Sequence, residues 1–107
     1  MSSPFEEIGE VVILRIDGKT SLVKIRDVVS EQVGKGRKKI IVDLRGVSFI
    51  DSTGLGDLAA AYTVARRVGG IIKLVSDKAA VDHILDITSM SSIFDKYRTP
   101  EEAVGSF

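Results

Sequence analysis

Ile40-Ile41-Val42-Asp43-Leu44 is a nearly unbroken apolar run, and it limits the fold more than any other stretch of the chain. A strand apolar on both sides must be covered on both sides, which is the situation of a centrally placed strand in a parallel sheet. Val11-Val12-Ile13-Leu14-Arg15-Ile16-Asp17 and Ile71-Ile72-Lys73-Leu74-Val75 have the same β-branched character and read as two further strands. The segments between them have helical spacing. Thr20 or Ser21 can cap a helix in which Leu22, Ile25, Val28, Val29 and Val33 recur, ending at Gly34 and Gly36. From Gly54 onward Leu55, Leu58, Ala59, Tyr62, Ala65 and Val68 form one apolar stripe, which Gly69-Gly70 stops.

The ends of the chain complete the pattern. Phe5 to Ile8 is a strand candidate that turns at Gly9-Glu10 and pairs antiparallel with the strand after it. Ser76-Asp77 can cap a third helix with Val81, Ile84, Leu85 and Thr88 inward, and Ile93-Phe94 reads as a short last strand. Thr99-Pro100-Glu101-Glu102 combines a capping box with proline at the first helical position and opens a closing helix through Ala103 and Val104. Strand and helix therefore alternate from Val11 onward. The expected fold is α/β, a single domain over residues 1–107 with a mostly parallel sheet of about five strands, an antiparallel edge strand and about four helices. Sites in such sheets gather beyond the carboxyl ends of the strands, where the loops 18–21, 48–54 and 76–78 converge.

Composition removes several classes of function. Fifteen basic residues balance fifteen acidic ones, so no net field draws the chain toward nucleic acid or an anionic membrane. The cluster Lys35, Arg37, Lys38, Lys39 reads as dipole complementarity at a helix end plus a solvated connection. The absence of cysteine excludes a disulfide framework and thiolate chemistry. No apolar run approaches the ~20 residues that span a bilayer, and the first residues lack an export pattern, so a cytoplasmic location is expected.

Catalytic constellations are incomplete. Gly18-Lys19-Thr20 matches the tail of a phosphate-binding loop, but the glycine required five positions earlier is Ile13. Ser52 sits in half of a nucleophile elbow, without the preceding glycine, and the single histidine, His83, lies mid-helix beside Asp82. Asp43 stands where a phospho-accepting aspartate would, yet the preceding strand ends on Asp17 and glycine rather than on an acidic pair. Metal-ligand spacing is missing, so neither a metal nor a cofactor is expected.

What remains is the exit of the central strand, where Asp51, Ser52 and Thr53 can accept hydrogen bonds from a first helical turn and Gly54 and Gly56 let another backbone come close. Phe49-Ile50-Asp51-Ser52-Thr53-Gly54-Leu55-Gly56 resembles the signature of STAS domains, in particular the bacterial anti-sigma factor antagonists. The resemblance extends over most of the chain, through Val47-Ser48-Phe49, Gly69-Gly70, Ile87-Thr88-Ser89-Met90, Ile93-Phe94 and Glu101-Glu102-Ala103. It implies a regulatory protein without enzyme activity. The unphosphorylated form would bind an anti-sigma factor serine kinase and release a sigma factor, the kinase would phosphorylate Ser52, and a serine/threonine phosphatase would reverse this. The partner face implied is Asp51, Ser52, Thr53, Gly54, Leu55, Gly56 and Asp57 with Lys19, Thr20 and Ser21, on a monomer or weak dimer. Gly18-Lys19-Thr20-Ser21 is shorter than the family's usual loop and has lysine in place of an acidic residue. The alternative within the family is a non-switching interaction subunit of a transporter or signalling complex.

Overall fold

The computed structural model describes residues 5–17 and 24–107. Along the chain run β1 (Phe5–Ile8), β2 (Val11–Asp17), α1 (Ile25–Gly34), β3 (Lys39–Gly46), α2 (Ser52–Arg66), β4 (Ile71–Val75), α3 (Ala79–Ile87), β5 (Asp95–Tyr97) and α4 (Pro100–Gly105). They form one five-stranded sheet in the order β1-β2-β3-β4-β5, with β1 antiparallel to β2 and the other pairs parallel. The α/β fold expected from the alternation is the one present. The anticipated caps Thr20 and Ser21, and Leu22 of the first helical stripe, lie outside the described residues.

Every parallel connection steps the same way across the sheet, and right-handed crossovers that do so leave their helices on one face. The core follows this division. Val12, Leu14, Ile16, Ile40, Val42, Leu44, Ile72 and Leu74 point to the face covered by Ile25 and Val29 of α1, Leu58, Ala61 and Ala65 of α2, and Val81 and Leu85 of α3. The alternate residues Val11, Ile13, Ile41 and Val75 meet Ala103 of the short α4 on the other face. Covering from both sides is why β3 is apolar almost throughout. Asp43, its one acidic residue, is buried on the α4 face and holds the Arg45 guanidinium through Nε at 3.0 Å and Nη2 at 2.9 Å. Lys73 of β4 is also buried there, donating to the Ser106 hydroxyl at 2.6 Å with its ammonium 4.4 Å from the Phe107 ring centroid.

Gly70 explains the stop between α2 and β4. A Cβ there would meet the Ala65 carbonyl at 3.0 Å and the Lys38 carbonyl at 3.2 Å, so any larger residue would have to push these backbone groups apart. Val68 falls beyond the helix and is exposed rather than on the core stripe.

Three other details differ from the sequence reading. The last strand is Asp95–Tyr97, not Ile93-Phe94, because the N–H groups of Ile93 and Phe94 both donate to the Met90 carbonyl and close a 3-10 turn. Phe94 instead packs edge-on against Tyr62, with ring centroids 5.4 Å apart. Ser76 does not cap α3; its N–H donates to the Tyr97 carbonyl at 2.9 Å, which prolongs the ladder, and α3 begins behind Lys78 with no side-chain cap. Thr88 is exposed and returns its hydroxyl to the Ile84 carbonyl at 2.7 Å.

Asp82 of α3 ties the sheet edge to its helix through Arg98 at 2.8 Å and Lys96 at 3.4 Å. Burial works against its charge, but the Ser76 hydroxyl, the Lys96 charge and the Arg98 hydrogen bond together outweigh burial and hold its pKa below the ordinary 3.8. Ser76 Oγ and Asp82 Oδ1 complete no well-aligned hydrogen bond, so the two cations rather than the hydroxyl are the dependable partners. A carboxylate whose folded pKa is depressed adds stability above its unfolded pKa and loses it as pH falls through the folded value. Asp82→Asn is therefore expected to lower stability at neutral pH by on the order of 1 kcal/mol, with Arg98 largely solvated. In urea titrations against pH, the gap between the two proteins should narrow below pH 3.8.

Candidate functional site

The site forms where β3 hands the chain to α2. Val47 and Ile50 are buried and anchor the connection at both ends, while Ser48 and Phe49 between them face solvent. Phe49 is 67% exposed, the fullest exposure of an aromatic ring among the described residues. Asp51 is extended, at φ −89° and ψ 178°, and its Oδ1 accepts the Gly54 N–H at 2.8 Å. Its carbonyl accepts the Leu55 N–H at 3.0 Å, the first bond of the helix. Asp51 is thus the N-cap, and a carboxylate there both satisfies an orphan donor and complements the helix dipole.

That assignment leaves Ser52 and Thr53 at the first two helical positions, both exposed. Among the described residues the Ser52 hydroxyl has no hydrogen-bond partner. Capping by Ser52, the ordinary explanation for a serine in this place, does not apply, because its neighbour performs that task.

The rest of the motif divides between surface and core. Gly54 is buried, Leu58 is fully buried, and Leu55 is half-buried against the main core. Asp57 is committed elsewhere: its Oδ2 accepts the Arg26 N–H at 2.8 Å, capping the first turn of α1 from a different helix. Lys24, at the N-cap of α1, supplies no side-chain cap. Gly56 is exposed, and a Cβ built on it meets nothing within 4 Å. Glycine in a helix interior costs about 0.5–1 kcal/mol relative to alanine. Among the described residues no close approach requires it.

The neighbouring loop is braced by charge. Lys78 donates to the Arg45 carbonyl, and Asp43 raises the pKa of Arg45 above its usual value through a hydrogen bond that outweighs burial. The anticipated contributors Lys19, Thr20 and Ser21 lie outside the described residues. Phe49 was not among the anticipated site residues. It reads as one more residue of an apolar run, and the only signal of its exposure is its place between two anchors, Val47 and Ile50.

A family model described as "STAS domain" matches residues 3–103. The chain belongs to the STAS-domain family. A Thermotoga neapolitana protein named as a candidate anti-sigma factor antagonist is 31% identical over 105 residues, spanning 94% of this chain and 93% of that protein. The crystal structure of a Thermotoga maritima protein of the same description, 28% identical, superposes with a TM-score of 0.84 over 96% of this chain and 92% of that one. The phosphorylated form of the Bacillus cell fate determinant SpoIIAA, at 22% identity, shares the fold with a TM-score of 0.72 over 95% of this chain and 96% of its own. No helix among the described residues of this STAS domain is long and apolar enough to cross a membrane.

The two caps of this site should be separable. Asp51→Ala is expected to cost about 1 kcal/mol and Asp51→Asn a few tenths, because asparagine keeps the acceptor. Asp57→Ala should lower the thermal midpoint with the loss concentrated in α1, read as faster amide exchange at Arg26, and Asp57→Asn should restore most of the protection.

Proposed function

We propose that this STAS domain is an anti-sigma factor antagonist switched by phosphorylation of Ser52. Unphosphorylated, it binds an anti-sigma factor serine kinase through the mouth of α2 and so releases a sigma factor. The kinase phosphorylates Ser52 and ends the association, and a serine/threonine phosphatase restores the binding form. The chain acts as a regulator rather than an enzyme, and Asp51, Ser52, Thr53, Gly54, Leu55 and Gly56 form its partner face with Phe49 beside them. The observation that carries this reading is the exposed Ser52 hydroxyl at the first helical position, relieved of capping by Asp51. The Thermotoga relative's name supports the assignment to anti-sigma antagonism.

The physical change is one of surface charge. A phosphoryl group adds about −1.5 to −2 charges and three strong acceptors. At the start of α2 it sits beside unpaired N–H groups and the positive end of the helix dipole, so the folded chain tolerates it. A partner pocket shaped for a hydroxyl does not. Leaving such a charge desolvated and unpaired costs on the order of 2–5 kcal/mol, or about one and a half to three and a half decades of affinity. The open space over Gly56 leaves room for a partner backbone or side chain to rest directly on the helix, since a Cβ there would meet nothing within 4 Å.

Calorimetry with the cognate anti-sigma kinase tests the switch. Ser52→Ala should bind as the wild type does and Ser52→Asp about a hundredfold more weakly; equal affinities remove the switch. Mass spectrometry after incubation with kinase and ATP should place the phosphate on Ser52, and label confined to Thr53 would overturn the assignment. Gly56→Ala should stabilise the fold by about 0.5–1 kcal/mol while weakening kinase binding, a combination that a purely structural glycine does not give.

A further inference from the structure

Phe49 is the one large apolar side chain among the described residues that stands in water between β3 and α2, at 67% exposure and with no ring partner. Single apolar side chains on a surface are ordinary, so exposure alone assigns it nothing. Its setting does. The Val47 N–H donates to the Leu44 carbonyl at 2.9 Å, and Val47 and Ile50 are both buried, so the backbone is fixed on either side of the ring. Asp51, two residues on, is held by the bond from the Gly54 N–H. The ring is presented on a rigid support, and seating it in a pocket costs little ordering of the chain.

Chain geometry ties that ring to Ser52. Consecutive Cα atoms are about 3.8 Å apart, so the three steps from Phe49 to Ser52 span at most about 11 Å. A standard interface covers about 800 Å² of each partner, a disc of about 16 Å radius. A protein that centres such an interface on the Ser52 hydroxyl covers Phe49 as well. The two side chains offer it unlike chemistry: Ser52 is the group whose charge changes, whereas Phe49 gives the same apolar area in either state. Leu55 is half-buried against the core and Leu58 is fully buried, so neither has comparable area to give.

We infer that Phe49 anchors the complex by seating in an apolar pocket of the anti-sigma factor kinase, and that it sets the strength of association independently of the charge on Ser52. The identity of the partner rests on the function proposed above. Ser52 then fixes the ratio of affinities between the two states, and Phe49 fixes their common level. Aromatic side chains are prominent among the few residues that carry most of an interface's binding energy. Phe49 has no group that takes part in phosphoryl transfer, so its contact contributes equally to the ground and transition states of that step.

Calorimetry and dissociation kinetics of the full chain with the cognate anti-sigma kinase test the anchor. Phe49→Ala should weaken binding about thirtyfold, mostly through faster dissociation, and by the same factor at low and high salt because no charge changes. Phe49→Leu should recover most of the loss and Phe49→Asp none. The factor should be the same in Ser52→Ala and Ser52→Asp backgrounds. In phosphorylation assays Phe49→Ala should raise KM for this chain and leave kcat unchanged. Its thermal midpoint without kinase should stay within about 3 °C of the wild type, which separates a lost contact from a lost fold. A Phe49→Ala chain that binds as tightly as the wild type, or a loss confined to one of the two Ser52 backgrounds, overturns the inference and leaves the switch at Ser52 intact. Equal binding of Ser52→Ala and Ser52→Asp, with Phe49→Ala still weak, removes the switch and keeps the anchor.

Discussion

A single hydrogen bond, from the Gly54 N–H to Asp51 Oδ1 at 2.8 Å, decides what the mouth of α2 presents to solvent. Four N–H groups at the start of a helix lack intrahelical partners, and a side chain ahead of the helix has to take one of them. With Asp51 in that place, Ser52 becomes the first helical residue and its hydroxyl is left without a hydrogen-bond partner among the described residues. A serine cap would have turned the same oxygen inward onto the backbone. The exposure of the Ser52 hydroxyl thus depends on a structural duty carried by its neighbour.

The sheet supplies the rigidity behind that mouth. Val47 and Ile50 are held in the core on either side of the exposed Phe49, and β3 behind them is flanked by β2 and β4 and covered on both faces. Asp57 extends the support sideways by capping α1, so the start of α1 and the first turns of α2 are joined by a direct hydrogen bond. The site is built on helix and strand termini of a packed scaffold, where position is fixed more closely than on a free loop.

The two ends of the domain differ in character although the net charge of the chain is zero. Parallel strands force this polarity, because every helix preceding a strand ends at one side of the sheet and every helix following a strand begins at the other. Helix N-termini, with Asp51 and the exposed hydroxyls, gather beyond the strand ends. Helix C-termini gather at the strand starts, where Arg66 and Arg67 complement the negative end of α2. This arrangement of helix ends emerges only once the topology is known.

Hydrophobic periodicity was enough to locate most of the elements, since burial on one or two faces leaves a repeat that survives in the linear chain. The strands from Phe5, Val11, Lys39 and Ile71, the Gly69-Gly70 stop and the capping box at Thr99 were all legible for that reason, and the motif from Asp51 to Gly56 marked the start of α2. Edge strand β5 was not, because an edge needs little apolar content and Phe94 spends its ring on Tyr62. Nor could periodicity separate the roles within the motif. The capping of α1 by Asp57, the burial of Leu58, the open space over Gly56 and the exposure of Phe49 depend on residues distant in sequence. The sequence by itself determined the repeat and the chemistry of the handover, because these reside in local spacing and residue type. Which groups are consumed by packing and which remain free was decided only by the tertiary structure, because a hydrogen bond or a buried area belongs to a pair of surfaces and not to either residue alone.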